Sequence, residues 1–126
     1  MPVMSLSEIE SVCRTALLNV GASAEQADIV AAEIADAEAE GIRNVGLGYM
    51  HLYLKHLKVG KVKPGASPKI VKTSSSTTVI DADFGFCHHA YMIGESRLIE
   101  RTRDQGVGLM SIHQSSSAGV LGWFVR

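Results

Sequence analysis

Glycines at positions 21, 41 and 60 divide the first half of this chain into three segments, each with apolar residues at helical spacing. That punctuation constrains the fold more than any other feature, because a glycine after a periodic apolar run supplies the residue on which a helix ends. Ser5-Leu6-Ser7-Glu8-Ile9-Glu10 holds two overlapping capping boxes, in which a serine and an acid three residues later satisfy each other's backbone N–H. Ile9, Val12, Cys13, Ala16, Leu17 and Val20 then recur at three- and four-residue steps, predicting an amphipathic helix that stops at Gly21. Ser23-Ala24-Glu25-Gln26 repeats the start signal, and Ala27, Val30, Ala31, Ile34 and Ala37 or Ala39 form a stripe of small residues up to Gly41. Small side chains there predict close helix packing. A third helix is expected over 47–59, with Met50, Tyr53, Leu54 and Leu57 on one face.

The second half changes character. Lys61-Val62-Lys63-Pro64-Gly65-Ala66-Ser67-Pro68 reads as a loop, since two prolines and a glycine within five residues deny it a helix or a ladder. It reads as a linker between an amino-terminal helical segment, 1–60, and an incomplete α/β segment, 61–126. Lys69-Ile70-Val71-Lys72-Thr73 and Thr77-Thr78-Val79-Ile80-Asp81 are β-branched runs around three serines, which predicts a hairpin. Asp83-Phe84-Gly85-Phe86 turns the chain into a helix over about 88–103, with Ala90, Ile93, Leu98 and Ile99 facing inward. Val107 to Ile112 return as a strand, and after a polar loop Gly119 leads an apolar helix start that has no polar tail. Three helices, a hairpin, a helix and a strand place the chain in the α/β (α+β) class, with part of a mixed sheet.

Composition excludes several roles. With 126 residues, 46% hydrophobic and 20% charged, the chain is sized and composed for one folded domain rather than for disorder. A net charge of −1, from 12 basic and 13 acidic side chains, supplies no basic field, so nucleic acid is not an expected partner. No apolar run approaches the roughly 20 residues of a membrane span, and the first residues lack the pattern of a signal peptide. Cys13 and Cys87 are far apart and not in a metal-binding spacing, so two free thiols in a reducing cytoplasm are expected. No metal site is expected either, because His51 and His56 lie on different faces of their helix and no zinc-protease spacing occurs.

Chemistry concentrates at two places. The loop Gln114-Ser115-Ser116-Ser117-Ala118-Gly119 joins a strand to a helix start, where N–H groups outside the ladder are expected to converge on an anion or cofactor group. Ser115, Ser116, Ser117 and Gly119 are the candidate cofactor residues, with a plain structural turn as the alternative. His113 precedes the loop and is a possible imidazole for proton transfer; His88 and His89 open a helix beside Cys87, where a cofactor phosphate or substrate carboxylate could sit, and being adjacent they cannot both face one ligand. The second place is Arg43, whose guanidinium is suited to a bidentate carboxylate grip, with a helix-end cation as the alternative. Asp83-Phe84-Gly85 lacks the companions of a kinase site and reads as a turn, and Gly46-Leu47-Gly48 lacks a third glycine and follows a helix, so it supports no dinucleotide fingerprint.

The order of several landmarks resembles the malate/L-lactate dehydrogenase-like family of NAD(P)-dependent oxidoreductases. They are Gly21-Ala22-Ser23 with Gln26-Ala27, the stretch from Glu40-Gly41 to Gly46-Leu47-Gly48, Tyr53-Leu54 through Leu57, Gly60, Val62 and Pro64, Val79-Ile80-Asp81-Ala82-Asp83 with Gly85-Phe86, and Gly106-Val107-Gly108 leading to Ser115 and Gly119-Val120-Leu121-Gly122-Trp123-Phe124. The resemblance implies a fold unrelated to the usual dinucleotide-binding one, NAD or NADP as cofactor, and a small 2-oxo or 2-imino acid as substrate. Family members are far longer, so it also implies an amino-terminal portion, with a homo-oligomer or a paralogue as partner. Where the family carries Ser-His-Gly and then Arg, this chain has Asn44-Val45-Gly46 and Tyr49; where it carries Asn-Ser-Asn-His-Phe-Gly, this chain has Gln114 to Gly119 with Ser117 at the histidine. Neither Val45 nor Ser117 can act as acid or base near neutral pH, which leaves His113 as a substitute. The alternative reading is a non-catalytic interaction module that keeps the packing residues and assembles with itself or a longer paralogue.

Overall fold

The computed structural model describes residues 3–116 and 118–125. The amino-terminal helices are α1 (Leu6–Asn19), α2 (Ala24–Ala39) and α3 (Leu47–Lys58), each bounded where its start and stop signals lie. Ser5 and Glu8 close a reciprocal capping box on α1, and Ser23 and Gln26 close one on α2. The amino end of α3 has only Gly46 at its cap; Glu38 of α2 reaches across instead and accepts the Leu47 N–H at 2.7 Å. One core joins the three helices, built from Ile9, Cys13 and Leu17 of α1, Ala27, Val30, Ala31 and Ile34 of α2, and Tyr53 and Leu57 of α3. Val62 and Phe86 enter that core from the second half of the chain, so the 61–68 stretch is irregular in backbone yet packed.

A three-stranded sheet in the order β1-β2-β3 follows, from β1 (Lys69–Thr73), β2 (Thr77–Asp81) and β3 (Leu109–His113). The hairpin β1–β2 is antiparallel with an irregularity between Ile70 and Lys72, while β2 and β3 run parallel because α4 (Cys87–Gln105) crosses over between them. Thr78, Ile80, Met110 and Ile112 share the face covered by α4, where Ala90 and Ile93 meet them. At Gly94 the helix comes so close to the sheet that a Cβ would run into Ile80 Cδ1 and Met110 Sδ. Gly106, at φ +78°, ends α4 in the left-handed conformation that a glycine adopts without steric cost. No described helix is long and apolar enough to cross a membrane.

Three expectations need correction. Val12 is 54% exposed and Ile99 46% exposed. The buried line of α1 is the narrow row Ile9, Cys13, Leu17, since α1 leans mainly on α2, and α4 meets the sheet along Ala90 and Gly94, a row that turns Ile99 outward. The apolar segment after Gly119 forms not the start of an α-helix but a single 3₁₀ turn, Leu121–Val125, with Leu121 and Val125 exposed.

Candidate functional site

The loop after β3 is built from both halves of the molecule. β2 and β3 continue their pairing past the strands through a bridge between Phe86 and Ser116, in which the Ser116 N–H donates to Gly85 O at 2.9 Å and the Cys87 N–H to Ser116 O at 3.1 Å. Further on, the Val120 N–H donates to Glu33 Oε1 at 2.9 Å, a bond from the start of the 3₁₀ turn to the middle of α2. Glu33 is fully buried. Gly119, at φ +58°, lies so close that a Cβ would stand 2.6 Å from Glu33 Oε1 and 2.9 Å from the Tyr53 hydroxyl. Of the N–H groups expected to converge at this loop, that of Ser116 is bound within the protein, as is that of Val120 just past it. The cause is the extended ladder at one and a buried carboxylate at the other.

Around Glu33 lies a group of rings. His88, in the first turn of α4, is fully buried, stacks on Phe124 with centroids 5.4 Å apart, and presents its edge to Trp123. Its Nε2 stands 4.0 Å from Glu33 Oε2. Burial pushes the His88 imidazole down to about 4, against a weaker opposing pull from the Ala118 backbone. The ring is thus neutral at pH 7, and its approach to Glu33 is a contact between an imidazole and a carboxylate rather than an ion pair. Neither ring nitrogen makes a hydrogen bond of normal geometry to a described residue. Tyr91 fastens the turn from outside by donating its hydroxyl to Phe124 O at 2.7 Å.

The other sequence-predicted residues are dispersed. Arg43 and Asn44 are exposed, and Val45 is half-buried in the turn before α3, its N–H donating to Ile42 O. Tyr49 touches the ring cluster, edge-on to Tyr53 at 5.0 Å, and Tyr53 in turn meets Phe86 and His88. His113 is exposed at the end of β3, in register with Asp81, on the sheet face that α4 does not cover. Ser115 is exposed beside Cys87, whose thiol is pushed up by burial and pulled back somewhat by the serine. Ser117 lies outside the described residues. Among the described residues no group of three or more His, Cys, Asp or Glu could hold a metal ion.

Sequence reasoning missed Glu33. Its signal was present, since Gln26 and Glu33 stand seven apart on the same helix face as Val30 and Ala37, and both are fully buried. A carboxylate on an apolar stripe requires a polar partner, here supplied by a segment 87 residues further on.

For a phosphate the loop offers fewer donors than expected, since the Ser116 and Val120 N–H groups are already bound to Gly85 O and Glu33 Oε1. The exposed Ser115 hydroxyl remains available to a neutral polar group.

The sequence profile of the malate/L-lactate dehydrogenase family matches residues 4–126. A (2R)-3-sulfolactate dehydrogenase (NADP(+)) from Chromohalobacter salexigens is 32% identical over 95% of this chain and 36% of its own length. A Delta(1)-pyrroline-2-carboxylate reductase from Ancylobacter novellus is 29% identical over 87% of this chain and 32% of its own. The solved sulfolactate dehydrogenase of Methanocaldococcus jannaschii superposes with a TM-score of 0.89 at 27% identity, over 98% of this chain and 36% of that one. The chain spans about a third of the length of the curated relatives it matches.

Proposed function

Since the chain belongs to the malate/L-lactate dehydrogenase family, we propose that it supplies the helical body and the substrate-side loops of an oxidoreductase. That enzyme reduces a small 2-oxo or 2-imino acid with NADH or NADPH. The observation that carries this reading is the match over 4–126 together with a fold that superposes on a sulfolactate dehydrogenase. When bound, the cofactor supplies the hydride; the protein binds, orients and protonates. Arg43, exposed at the turn before α3, grips the substrate carboxylate, helped by Asn44 and the Tyr49 hydroxyl, in place of the arginine that the family resemblance expects at Tyr49. Ser115, Ser116, Ser117 and Gly119 would hold the cofactor through an uncharged polar group rather than its phosphates, since Glu33 already holds the Val120 amide. His113 is the remaining exposed imidazole near the loop and the proton donor of this reading. Free Cys13 and Cys87 suit a reducing cytoplasm.

The test is a fluorescence titration of the chain with NADH and NADPH, alone and with the carboxy-terminal two thirds of a relative, followed by turnover of sulfolactate, malate and Δ1-pyrroline-2-carboxylate. Cofactor binding in the combined sample, lowered by Arg43→Ala only for turnover, supports the reading. The absence of binding in either sample sinks it. A second reading, a non-catalytic module assembling with itself or a longer paralogue, is favoured by one observation: Val45 puts a side chain without a titratable proton where the family carries its histidine.

A further inference from the structure

Three non-glycine residues among those described have a positive φ: Asp83 at +53°, Phe84 at +59° and Gln114 at +52°. All three stand just past the carboxyl ends of the two parallel strands, β2 at Asp81 and β3 at His113. Ala82 donates its N–H to His113 O at 3.0 Å and Ser116 donates its own to Gly85 O at 2.9 Å, so bonds to the candidate loop bracket the turn over 83–84. The left-handed region costs a glycine nothing and an aspartate or asparagine little, because a short polar side chain bonds locally. A phenylalanine has no such compensation. The 61–68 stretch nonetheless holds the turn in this shape. Lys63 Nζ donates to both carboxylate oxygens of Asp83, at 2.8 and 2.7 Å, the Ser67 N–H adds a bond at 3.0 Å, and the Lys63 N–H donates to Phe84 O at 2.9 Å.

The strain holds an aromatic ring out of the core. Phe84 is 57% exposed, whereas a turn with no other role is better served by glycine or asparagine, and a packing role by a buried ring. Strained residues collect at binding sites, and ligands of open α/β sheets lie outside the carboxyl ends of the strands. His113, Gln114 and Ser115 are exposed on the same rim. We propose that Phe84 is a stacking platform for a flat, uncharged heteroaromatic ring, the nicotinamide or the adenine of NADH or NADPH, set beside the Ser115 loop. The proposal rests on the oxidoreductase reading for the identity of its ligand. The face of an aromatic ring is electron-rich, so a phosphate or carboxylate is not what this residue meets.

The full chain and its Phe84→Asn and Phe84→Tyr variants are titrated with NADH and NADPH, alone and with the carboxy-terminal two thirds of a relative, and thermal unfolding is recorded for each. Reduced nicotinamide mononucleotide and ADP-ribose serve as probes that each present one of the two rings. Phe84→Asn is expected to bind the cofactor about tenfold more weakly than the parent and to lose that factor on one of the two probes, which identifies the ring. Its thermal midpoint is expected at or above that of the parent, because asparagine relieves the left-handed strain. Phe84→Tyr keeps the ring and is expected to stay within about twofold of the parent affinity. Equal affinity of the parent and Phe84→Asn overturns the proposal and leaves the oxidoreductase reading standing. A Phe84→Asn midpoint several degrees below the parent marks the ring as a packing residue, and a Phe84→Tyr loss as large as that of Phe84→Asn shows that stacking is not the cause; either result overturns the proposal. A parent that binds neither NADH nor NADPH in either sample removes the reading and the proposal together.

Discussion

Glu33 holds the carboxy-terminal turn to the helical body, so a single side chain decides whether the two halves stay joined there. Glu33→Ala removes the acceptor of a buried N–H and leaves a void beside Gly119 and Tyr53, at a cost of about 2–4 kcal/mol. Urea unfolding measures it, and Glu33→Gln, which keeps an oxygen for Val120, is expected to lose less than half as much. A Glu33→Ala midpoint equal to that of the parent would show that the bond carries no stability. His88 gives a pH signature of its own. Its imidazole titrates near 6.5 in the unfolded chain and at about 4 when folded, so below 6.5 the unfolded state binds the extra proton. Stability is therefore full above about pH 6.5 and falls with acid toward pH 4, by at most about 1.4 kcal/mol per pH unit. His56 and His89 are shifted downward by burial as well, in the same direction. His88→Gln isolates the contribution: between pH 7 and pH 5 its unfolding midpoint is expected to move less than that of the parent, and equal movement would assign the effect elsewhere.

Among the elements, α4 and the sheet meet most closely at Gly94, where helix propensity and packing oppose each other. Any side chain there gains up to about 1 kcal/mol of propensity over glycine. Gly94→Leu nonetheless drives its branch into Ile80 and Met110, and overpacking of about 1–3 kcal/mol is expected to win, read as a lower thermal midpoint. A raised midpoint would mean that α4 slides away from the sheet freely. The elements were legible in sequence because their ends are local: serine boxes start α1 and α2, Gly21, Gly41, Gly60 and Gly106 follow the ends of the four α-helices, and three serines mark the hairpin. The width of a buried face was not, since periodicity places Val12 and Ile99 near the apolar row without saying how much of it the neighbour covers. Of the candidate site, the loop between β3 and the terminal turn was legible as a place. Its internal wiring was not, because Glu33 on the apolar face of α2 signals the need for a polar partner without naming one, and that partner lies 87 residues further on.

At the scale of the whole molecule the prediction concerns activity. On the family resemblance the two histidine positions are Val45 and Ser117, which offer no acid or base, and the loss of one such group costs on the order of 10²–10⁴ in rate. The 126-residue chain by itself is accordingly expected to turn over malate or lactate negligibly, and ordinary enzyme rates from the purified chain would reject that expectation. The hydrogen bond between Val120 and Glu33 also says something about how the chain assembles. It closes a span of 87 residues, whereas α1, α2 and the hairpin close within a few. Loop-closure entropy penalises such a contact until the intervening chain is ordered. The turn over 121–125 is therefore expected to dock late in folding and to detach early, since Glu33 finds its donor only once the chain has been made through Val120. In native-state exchange the Val120 amide is expected to open at a free energy well below that of Val30, in the middle of the same helical core.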